Sequence, residues 1–102
     1  RILNNRQPDI IIDDASHINP LTITTFQIMF PLLKSGGIYV VEDTETSYWS
    51  AVATDGTDFK GGDHPNTVMN YFKRKADEVN LIEKTDIEAV HFYRGLVVVL
   101  KK

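Results

Sequence analysis

Two short runs of consecutive apolar residues stand out in the first half of the chain. The first lies within Pro8–Asp13 and contains three isoleucines in succession, and the second is Ile38–Val41. Continuous apolar runs of this length are typical of strands that are covered on both faces in a parallel sheet. Between them, Asn19 and Pro20 read as an N-cap and first helical residue, and Leu21–Leu33 has apolar residues near helical spacing. The pattern predicts a strand, a crossover helix and a second, parallel strand.

The second half of the chain has a long polar segment followed by three further elements. Residues Thr44–Asn66 are largely polar and contain turn-forming glycines, and a loop of this length is usually functional or disordered rather than a simple connector. Apolar residues on one face predict a helix over Thr67–Val79. The runs Ile87–Tyr93 and Leu96–Lys101 follow, and the two-residue link between them predicts an antiparallel hairpin at an edge of the sheet. This order of elements favours an α/β layered fold.

The composition is that of an ordinary globular protein. Of the 102 residues, 42% are hydrophobic and 25% are charged, and the net charge is −3. Nucleic-acid binders usually carry a basic patch, and the one basic cluster, Lys73–Lys75, lies in a predicted helix, where we interpret it as solvent-facing. Cysteine is absent, which excludes disulfides, thiolate zinc sites and a cysteine nucleophile. No apolar run reaches membrane-spanning length and no leader is visible, so we expect a cytoplasmic protein without membrane contact.

Each of the two predicted parallel strands ends in a pair of carboxylates. Asp13 and Asp14 follow the first strand, and Glu42 and Asp43 follow the second. Ligands bind beyond the carboxyl ends of the strands in an open parallel sheet, so these acids should meet at one edge. Four crowded carboxylates repel one another unless a positive charge lies between them, and Mg²⁺ prefers oxygen ligands. The alternative is that some of them cap turns or pair with a lysine.

A histidine, His17, lies three residues beyond Asp14 in the same predicted loop. At that position an imidazole can accept a proton from a substrate hydroxyl that is held next to the metal ion. A lone loop histidine more often has no catalytic role, and it is the neighbouring acids that favour the functional interpretation here. The other two histidines, His64 and His91, lack such neighbours, so we expect them to be solvated, packed or exposed at an edge.

Several of these segments resemble the metal-dependent macrolide and sugar O-methyltransferases. The resemblance covers almost the whole chain and is carried by the following segments: Ile10–Asn19, Phe30–Asp43, Thr46–Trp49, His91–Tyr93 and Leu96–Val99. One departure is Ala15, where relatives usually have glycine, and this should alter the turn without removing a ligand. The resemblance implies the C-terminal half of a Rossmann-like methyltransferase sheet, with two parallel strands, crossover helices and a C-terminal hairpin.

The resemblance also implies roles for individual residues. The magnesium ligands of the family fall on Asp14, Glu42 and Asp43, or on Asp13 if the alignment of the first motif is shifted by one position. The general base of the family falls on His17. The implied cofactors are S-adenosylmethionine and Mg²⁺, and the implied partner is a small-molecule acceptor with a sugar or other hydroxyl group.

The aromatic residues Tyr48 and Trp49 lie at the start of the long loop. Both side chains could line the acceptor pocket, and an equally good alternative is that their rings pack the loop onto the core.

The cofactor side of such an active site is absent from this sequence. The glycine-rich turn that holds S-adenosylmethionine in this fold follows the first strand of the domain, and Gly36 and Gly37 stand between a helix and a strand instead. The chain also starts at Arg1 and enters a strand-like run within a few residues. We therefore expect residues 1–102 to be a single partial domain, and the residues that bind the cofactor stay unknown.

Two alternative functions remain open on the sequence. One is a metal-dependent methyltransferase of a catechol-like or other small acceptor, and the other is a non-catalytic α/β interaction module. We further expect self-association, most simply as a homodimer, because the strand at Ile10–Ile12 would expose an unpaired edge.

Overall fold

The computed structural model describes residues 6–14, 19–48 and 67–102. These residues form a mixed sheet of four strands in the order β1-β2-β4-β3, in which β1 and β2 are parallel and β4 is antiparallel to both of its neighbours. The strands are β1 (Ile10–Asp13), β2 (Ile38–Glu42), β3 (Ile87–Tyr93) and β4 (Leu96–Lys101). The predicted parallel pair and the predicted edge hairpin are both confirmed.

Two helices connect the strands. The crossover helix α1 spans Asn19–Met29 and continues as one 3₁₀ turn over Phe30–Leu32, because Pro31 has no N–H with which to extend an α-helix. Helix α2 spans Val68–Leu81 and begins after Thr67, whose side-chain oxygen accepts the N–H of the third helical residue. It ends two residues beyond the predicted Val79.

The core lies between one face of the sheet and the two helices. Strand side chains alternate between the faces, and the register places Ile11, Tyr39 and Val99 together on the packed face. On this face Phe26 of α1 and Phe72 of α2 meet edge to face, with ring centroids 4.9 Å apart. The ring of Tyr39 lies 5.0 Å from that of Phe26 in the same geometry. These aromatic contacts add to the free energy gained by burying apolar area, and they join α1, α2 and β2.

One expectation about β1 is wrong, since the strand is not covered on both faces. Ile10 is 57% exposed and Ile12 is 59% exposed, whereas Ile11 between them is half-buried. The reason is that the buried residues of α1 and α2 belong to one cluster on a single face of the sheet. Alternate side chains of β1 therefore point away from that cluster.

The segment predicted as a long loop contains some regular structure. Its first residues, Thr44–Tyr48, form a 3₁₀ helix with three buried polar side chains. Residues 49–66 lie outside the described part of the chain. None of the helices in the described residues has the length and apolar character needed to cross a lipid bilayer.

Two glycines shape the entrance to β2. Gly36 has a φ of +81°, in the left-handed region that favours glycine. A Cβ atom on Gly37 would lie 2.7 Å from the carbonyl oxygen of Lys34 and 3.0 Å from that of Asp9. The Gly37 N–H donates to the same Lys34 carbonyl at 2.8 Å. This close backbone approach aligns β2 beside β1 and so places their carboxyl ends together.

Candidate functional site

The strand-end acids lie at the carboxyl ends of β1 and β2, as the sequence predicted. The parallel register pairs Asp13 with Val41. The residues that come next, Asp14 after β1 and Glu42 at the end of β2, therefore stand side by side at the edge of the sheet. Neighbouring strands are about 4.8 Å apart, which is within the span of two carboxylates that share a divalent cation. The backbone therefore brings together the two acid pairs that the sequence placed on separate strands.

The two aspartates that follow β1 have different environments. Asp13 is 8% exposed and lies on the packed face of the sheet with Val41, whereas Asp14 and Glu42 are exposed. The phenol of Tyr39 is completely buried, and its burial, together with the nearby charge of Asp13, raises its pKa well above the ordinary value. Of the two aspartates, Asp14 is thus the one placed beside Glu42 and accessible to a ligand.

Asp43 has an unusual backbone conformation. Its φ is +58°, in the left-handed region, which aspartate tolerates better than most residues. Its carbonyl oxygen accepts hydrogen bonds from the Thr46 hydroxyl at 2.9 Å and from the Thr46 N–H at 3.3 Å. Such conformations cluster at functional sites, where the surrounding structure maintains them. Here the bend turns the chain sharply at the end of β2, directly after the exposed Glu42.

A small cavity of about 10 Å³ lies against the second acid pair. Its walls come from α1, the end of β2, the 3₁₀ segment and the first residue of α2, and the lining residues are Thr22, Val41, Glu42, Asp43, Thr44, Thr46 and Val68. Its volume is close to that of a single water molecule's probe sphere. The cavity marks the point where α1 and α2 meet the acid-bearing edge of the sheet.

The side chains at this edge do not yet form a closed metal site. Within residues 6–14, 19–48 and 67–102, no group of three histidine, aspartate or glutamate side chains stands close enough to hold a metal ion. The predicted base His17 and the predicted substrate residue Trp49 fall outside the described residues. The chemistry of the set still suits Mg²⁺, because Asp14, Glu42 and Asp43 offer hard oxygen donors at adjacent backbone positions.

Tyr48, the other predicted substrate residue, ends the 3₁₀ segment that follows Asp43. Its side chain is 50% exposed, and the ammonium group of Lys73 on α2 lies 5.7 Å from the centre of its ring. The ring is therefore only partly packed against the described residues. A cation near an aromatic ring stabilises its position modestly.

Two buried polar residues that follow the acid pairs, Asn19 and Ser47, bind the first turn of α2, and the sequence did not indicate these contacts. The side-chain oxygen of Asn19 accepts the N–H of Val68 at 2.9 Å, and that of Ser47 accepts the N–H of Met69 at 3.2 Å. Thr67, in contrast, is the local cap of α2 and accepts the N–H of Asn70 at 3.1 Å. Asn19 had an evident role as the cap of its own helix, and nothing in the linear pattern indicated a partner in α2.

A larger cleft lies at the other end of the described sheet, away from the acid pairs that follow β1 and β2. Its volume is about 230 Å³, and its walls come from the end of α1, the middle of α2 and the start of β3. The lining includes Phe30, Tyr71 and Lys75. The ammonium group of Lys75 is 3.0 Å from a carboxylate oxygen of Glu78. Burial lowers the pKa of Lys75, but its contacts with Glu78 and Tyr71 together outweigh this effect and raise the pKa. The candidate site residues do not contribute to this cleft.

Comparisons with known proteins relate this chain to sugar-modifying enzymes, although no protein-family model matches it. It is 37% identical over 108 residues to 8-demethyl-8-alpha-L-rhamnosyl tetracenomycin-C 2'-O-methyltransferase of Streptomyces olivaceus, an alignment that covers 92% of this chain and 27% of the relative. It is 42% identical over 92 residues to L-olivosyl-oleandolide 3-O-methyltransferase of Streptomyces antibioticus, covering 87% of this chain and 23% of the relative. The chain spans about a quarter of the length of these curated relatives.

A similar solved structure is that of the MycE methyltransferase from the mycinamycin biosynthetic pathway in complex with Mg and SAH. The two superpose with a TM-score of 0.75 and 33% sequence identity, over 91% of this chain and 25% of that one. Another structure of the same enzyme also contains mycinamycin VI, with the same TM-score of 0.75. The similarity confirms the fold class, because it covers 91% of this chain at a TM-score of 0.75.

Proposed function

Because the chain is homologous to the C-terminal part of the macrolide and sugar O-methyltransferases, we propose that it provides the metal and acceptor side of a methyltransferase active site. The reaction is the transfer of a methyl group from S-adenosylmethionine to a hydroxyl of a sugar. The observation that carries the proposal is the parallel register that pairs Asp13 with Val41, so that Asp14 and Glu42 follow at neighbouring positions where the two strands end. The fold is similar to that of an enzyme solved with Mg and SAH.

The residues that would hold the metal ion are Asp14, Glu42 and Asp43. A bound Mg²⁺ supplies a positive charge that lowers the pKa of a nearby hydroxyl group. The exposed carboxylates of Asp14 and Glu42 offer it oxygen ligands, and Asp43 follows Glu42 directly, in the left-handed conformation. Asp13 is not part of the proposed set, because its side chain is buried beside Val41, whereas Asp14 is exposed.

His17 is the residue that we propose as the general base. It would accept the proton of the acceptor hydroxyl as the oxygen attacks the methyl carbon, and the rest of the site would contribute mainly orientation and charge stabilisation. In a full-length enzyme that contains this segment, His17→Ala should lower turnover by about two to four powers of ten, while metal affinity changes little. Near-normal turnover would rule out this role.

The acceptor is proposed to be a sugar hydroxyl on a small natural product. The support is that both curated relatives described above are named for methylation of a deoxysugar unit. Tyr48 and Trp49 are proposed to line the acceptor pocket, which agrees with the half-exposed ring of Tyr48. A catechol-like acceptor is the alternative within the same chemistry, and a comparison of turnover on rhamnosylated and catechol acceptors would distinguish the two. The proposed location is the cytoplasm.

Binding of Mn²⁺, measured by water proton relaxation, tests the metal site in the 102-residue chain itself. We expect stoichiometric binding by the wild type and a loss of affinity of at least about tenfold in Asp14→Asn. The matched control is Asp9→Asn, because Asp9 precedes the same strand at its other end and its side chain is 79% exposed. Absence of binding to the wild type would favour the non-catalytic interaction module, and equal affinity of all three proteins would remove Asp14 from the site.

Self-association of the chain is also proposed, with β1 as the contact. β1 is an outer strand of the described sheet, and its Ile10 and Ile12 side chains are more than half exposed. Unpaired strand edges with apolar side chains favour pairing with another strand. Light scattering after size-exclusion chromatography, across a tenfold range of concentration, should detect a dimer, and Ile12→Lys should shift it toward monomer. A monomer at every concentration would contradict the proposal.

A further inference from the structure

The first turn of α2 lies between the two segments that carry the candidate metal ligands. Asn19 begins α1, five residues after Asp14, and is 3% exposed. Its side-chain oxygen accepts the Val68 N–H in a buried hydrogen bond of 2.9 Å that links positions 49 residues apart. The segment that follows Asp14 is therefore hydrogen-bonded to α2 through Asn19, the first residue of α1.

The segment after the second acid pair is attached to the same helical turn. Ser47, four residues after Asp43, is 1% exposed, and its hydroxyl oxygen accepts the Met69 N–H at 3.2 Å. The hydrogen bonds from Thr46 to the Asp43 carbonyl connect this segment to the acid itself. The second ligand-bearing segment thus has its own hydrogen bond to α2.

The first N–H groups of a helix have no partner within the helix and need acceptors from elsewhere. A helix commonly meets this need with a local cap, and Thr67 accepts the Asn70 N–H in this manner. The neighbouring N–H groups of Val68 and Met69 bind side chains from two distant segments instead. The bond to Asn19 is buried and the bond to Ser47 is part-buried. Such bonds are costly to break, because the donor is left without a full replacement by water.

We propose that Asn19 and Ser47 are positioning residues that set the distance between Asp14 and the Glu42–Asp43 pair through the first turn of α2. The inference rests on the proposed metal site and adds two residues that do not contact the metal ion. The small cavity against Glu42 and Asp43 includes Val68 in its wall, so the turn borders the same cavity as the second acid pair. A change in this turn is transmitted to the ligands by a path of only a few residues.

The test compares Asn19→Ala and Ser47→Ala with Thr67→Ala in the 102-residue chain. Each variant removes one side-chain acceptor from the same helical turn, but only the first two cut a connection to an acid-bearing segment. Mn²⁺ affinity should fall about 10- to 100-fold in Asn19→Ala and Ser47→Ala, as is usual for residues that orient metal ligands. It should change less than about threefold in Thr67→Ala, and Asn19→Asp, which keeps the acceptor oxygen, should restore binding.

A second readout needs no metal ion and separates this inference from the proposed function. Backbone ¹⁵N order parameters of the metal-free protein should fall at Asp14 in Asn19→Ala and at Asp43 in Ser47→Ala, from about 0.85 toward about 0.6. Thr67→Ala should change neither. If the wild type binds no Mn²⁺ but this crossed pattern is seen, the metal site is wrong and the positioning role stands. Uniform changes in all three variants, or none, would overturn the positioning role even if the wild type binds Mn²⁺.

Discussion

Lys101, the last residue of β4, stabilises the end of α1 from across the sheet. Its ammonium group lies 2.7 Å from the carbonyl oxygen of Leu33, 3.0 Å from that of Pro31 and 3.5 Å from that of Phe30. It also lies 5.8 Å from the centre of the Phe30 ring. The last carbonyls of a helix lack helical N–H partners, and a cation is favourable at that end of the helix dipole. We predict that Lys101→Met destabilises the fold.

The size of the effect follows from what each carbonyl has left after the substitution. A hydrogen bond to a charged group contributes about 1.5–3 kcal/mol net. The Phe30 carbonyl keeps the Leu33 N–H at 3.0 Å, and the Pro31 contact lies in an exposed place where water can replace the ammonium group. The Leu33 carbonyl keeps only a long contact of 3.5 Å with the Gln7 side-chain amide, so its part-buried bond to the ammonium group is lost without a full replacement. Methionine keeps most of the packing on Phe30, so we expect a loss of about 1.5–2 kcal/mol.

Urea denaturation followed by circular dichroism at a fixed protein concentration measures this loss. In a domain of this size it corresponds to a decrease in Tm of about 10 °C. The matched control is Lys102→Met, which removes the same charge from the adjacent exposed residue and should change stability by less than about 0.5 kcal/mol. Equal losses in both variants would show that net charge, and not the capping contact, is responsible. An unchanged Lys101→Met protein would refute the reasoning.

Two further predictions concern the turn before β2 and the buried phenol. Gly37→Ala should lower the unfolding free energy by about 1–3 kcal/mol, because its Cβ would lie 2.7 Å from a backbone oxygen. Gly36→Ala should lower it by about 1 kcal/mol, because Gly36 has a φ of +81° although no atom lies within 4 Å of the added Cβ. The reverse ranking in urea denaturation would contradict this assignment. Because the pKa of Tyr39 is raised, the folded state keeps the phenol proton at pH values above 10.0, the ordinary tyrosine pKa, where the unfolded state loses it. The contribution of Tyr39 to the unfolding free energy should therefore be fully present below pH 10 and fall above it by up to about 1.4 kcal/mol per pH unit. Tyr39→Phe should lessen this decline in denaturation experiments at pH 9 to 11.5. Identical pH profiles of the two proteins would show that Tyr39 ionises normally.

The sequence was sufficient to predict the local elements and to place an acid pair at the end of each parallel strand. Consecutive apolar residues identified β1 and β2, and the two-residue link identified the hairpin, because periodicity and turn length reflect hydrogen bonding between residues near one another in the chain. The acid pairs were also evident, because they follow the two apolar runs directly in the sequence. The resemblance to methyltransferases rested on those motifs, and the comparisons confirm it.

Tertiary structure decided which face and which residue of each element matters. Three successive isoleucines carry no alternation, so the sequence could not indicate that Ile11 packs while Ile10 and Ile12 are exposed. The parallel register separated Asp13 from Asp14 by pairing the first with Val41 on the packed face.

The same limit applies to Asn19, whose partner in α2 is 49 residues away. A capping residue is recognisable from its own helix, but an acceptor for a distant N–H has no local signature. Contacts of that kind depend on which elements meet in space, and they exist only after the sheet has brought α1 and α2 onto one face.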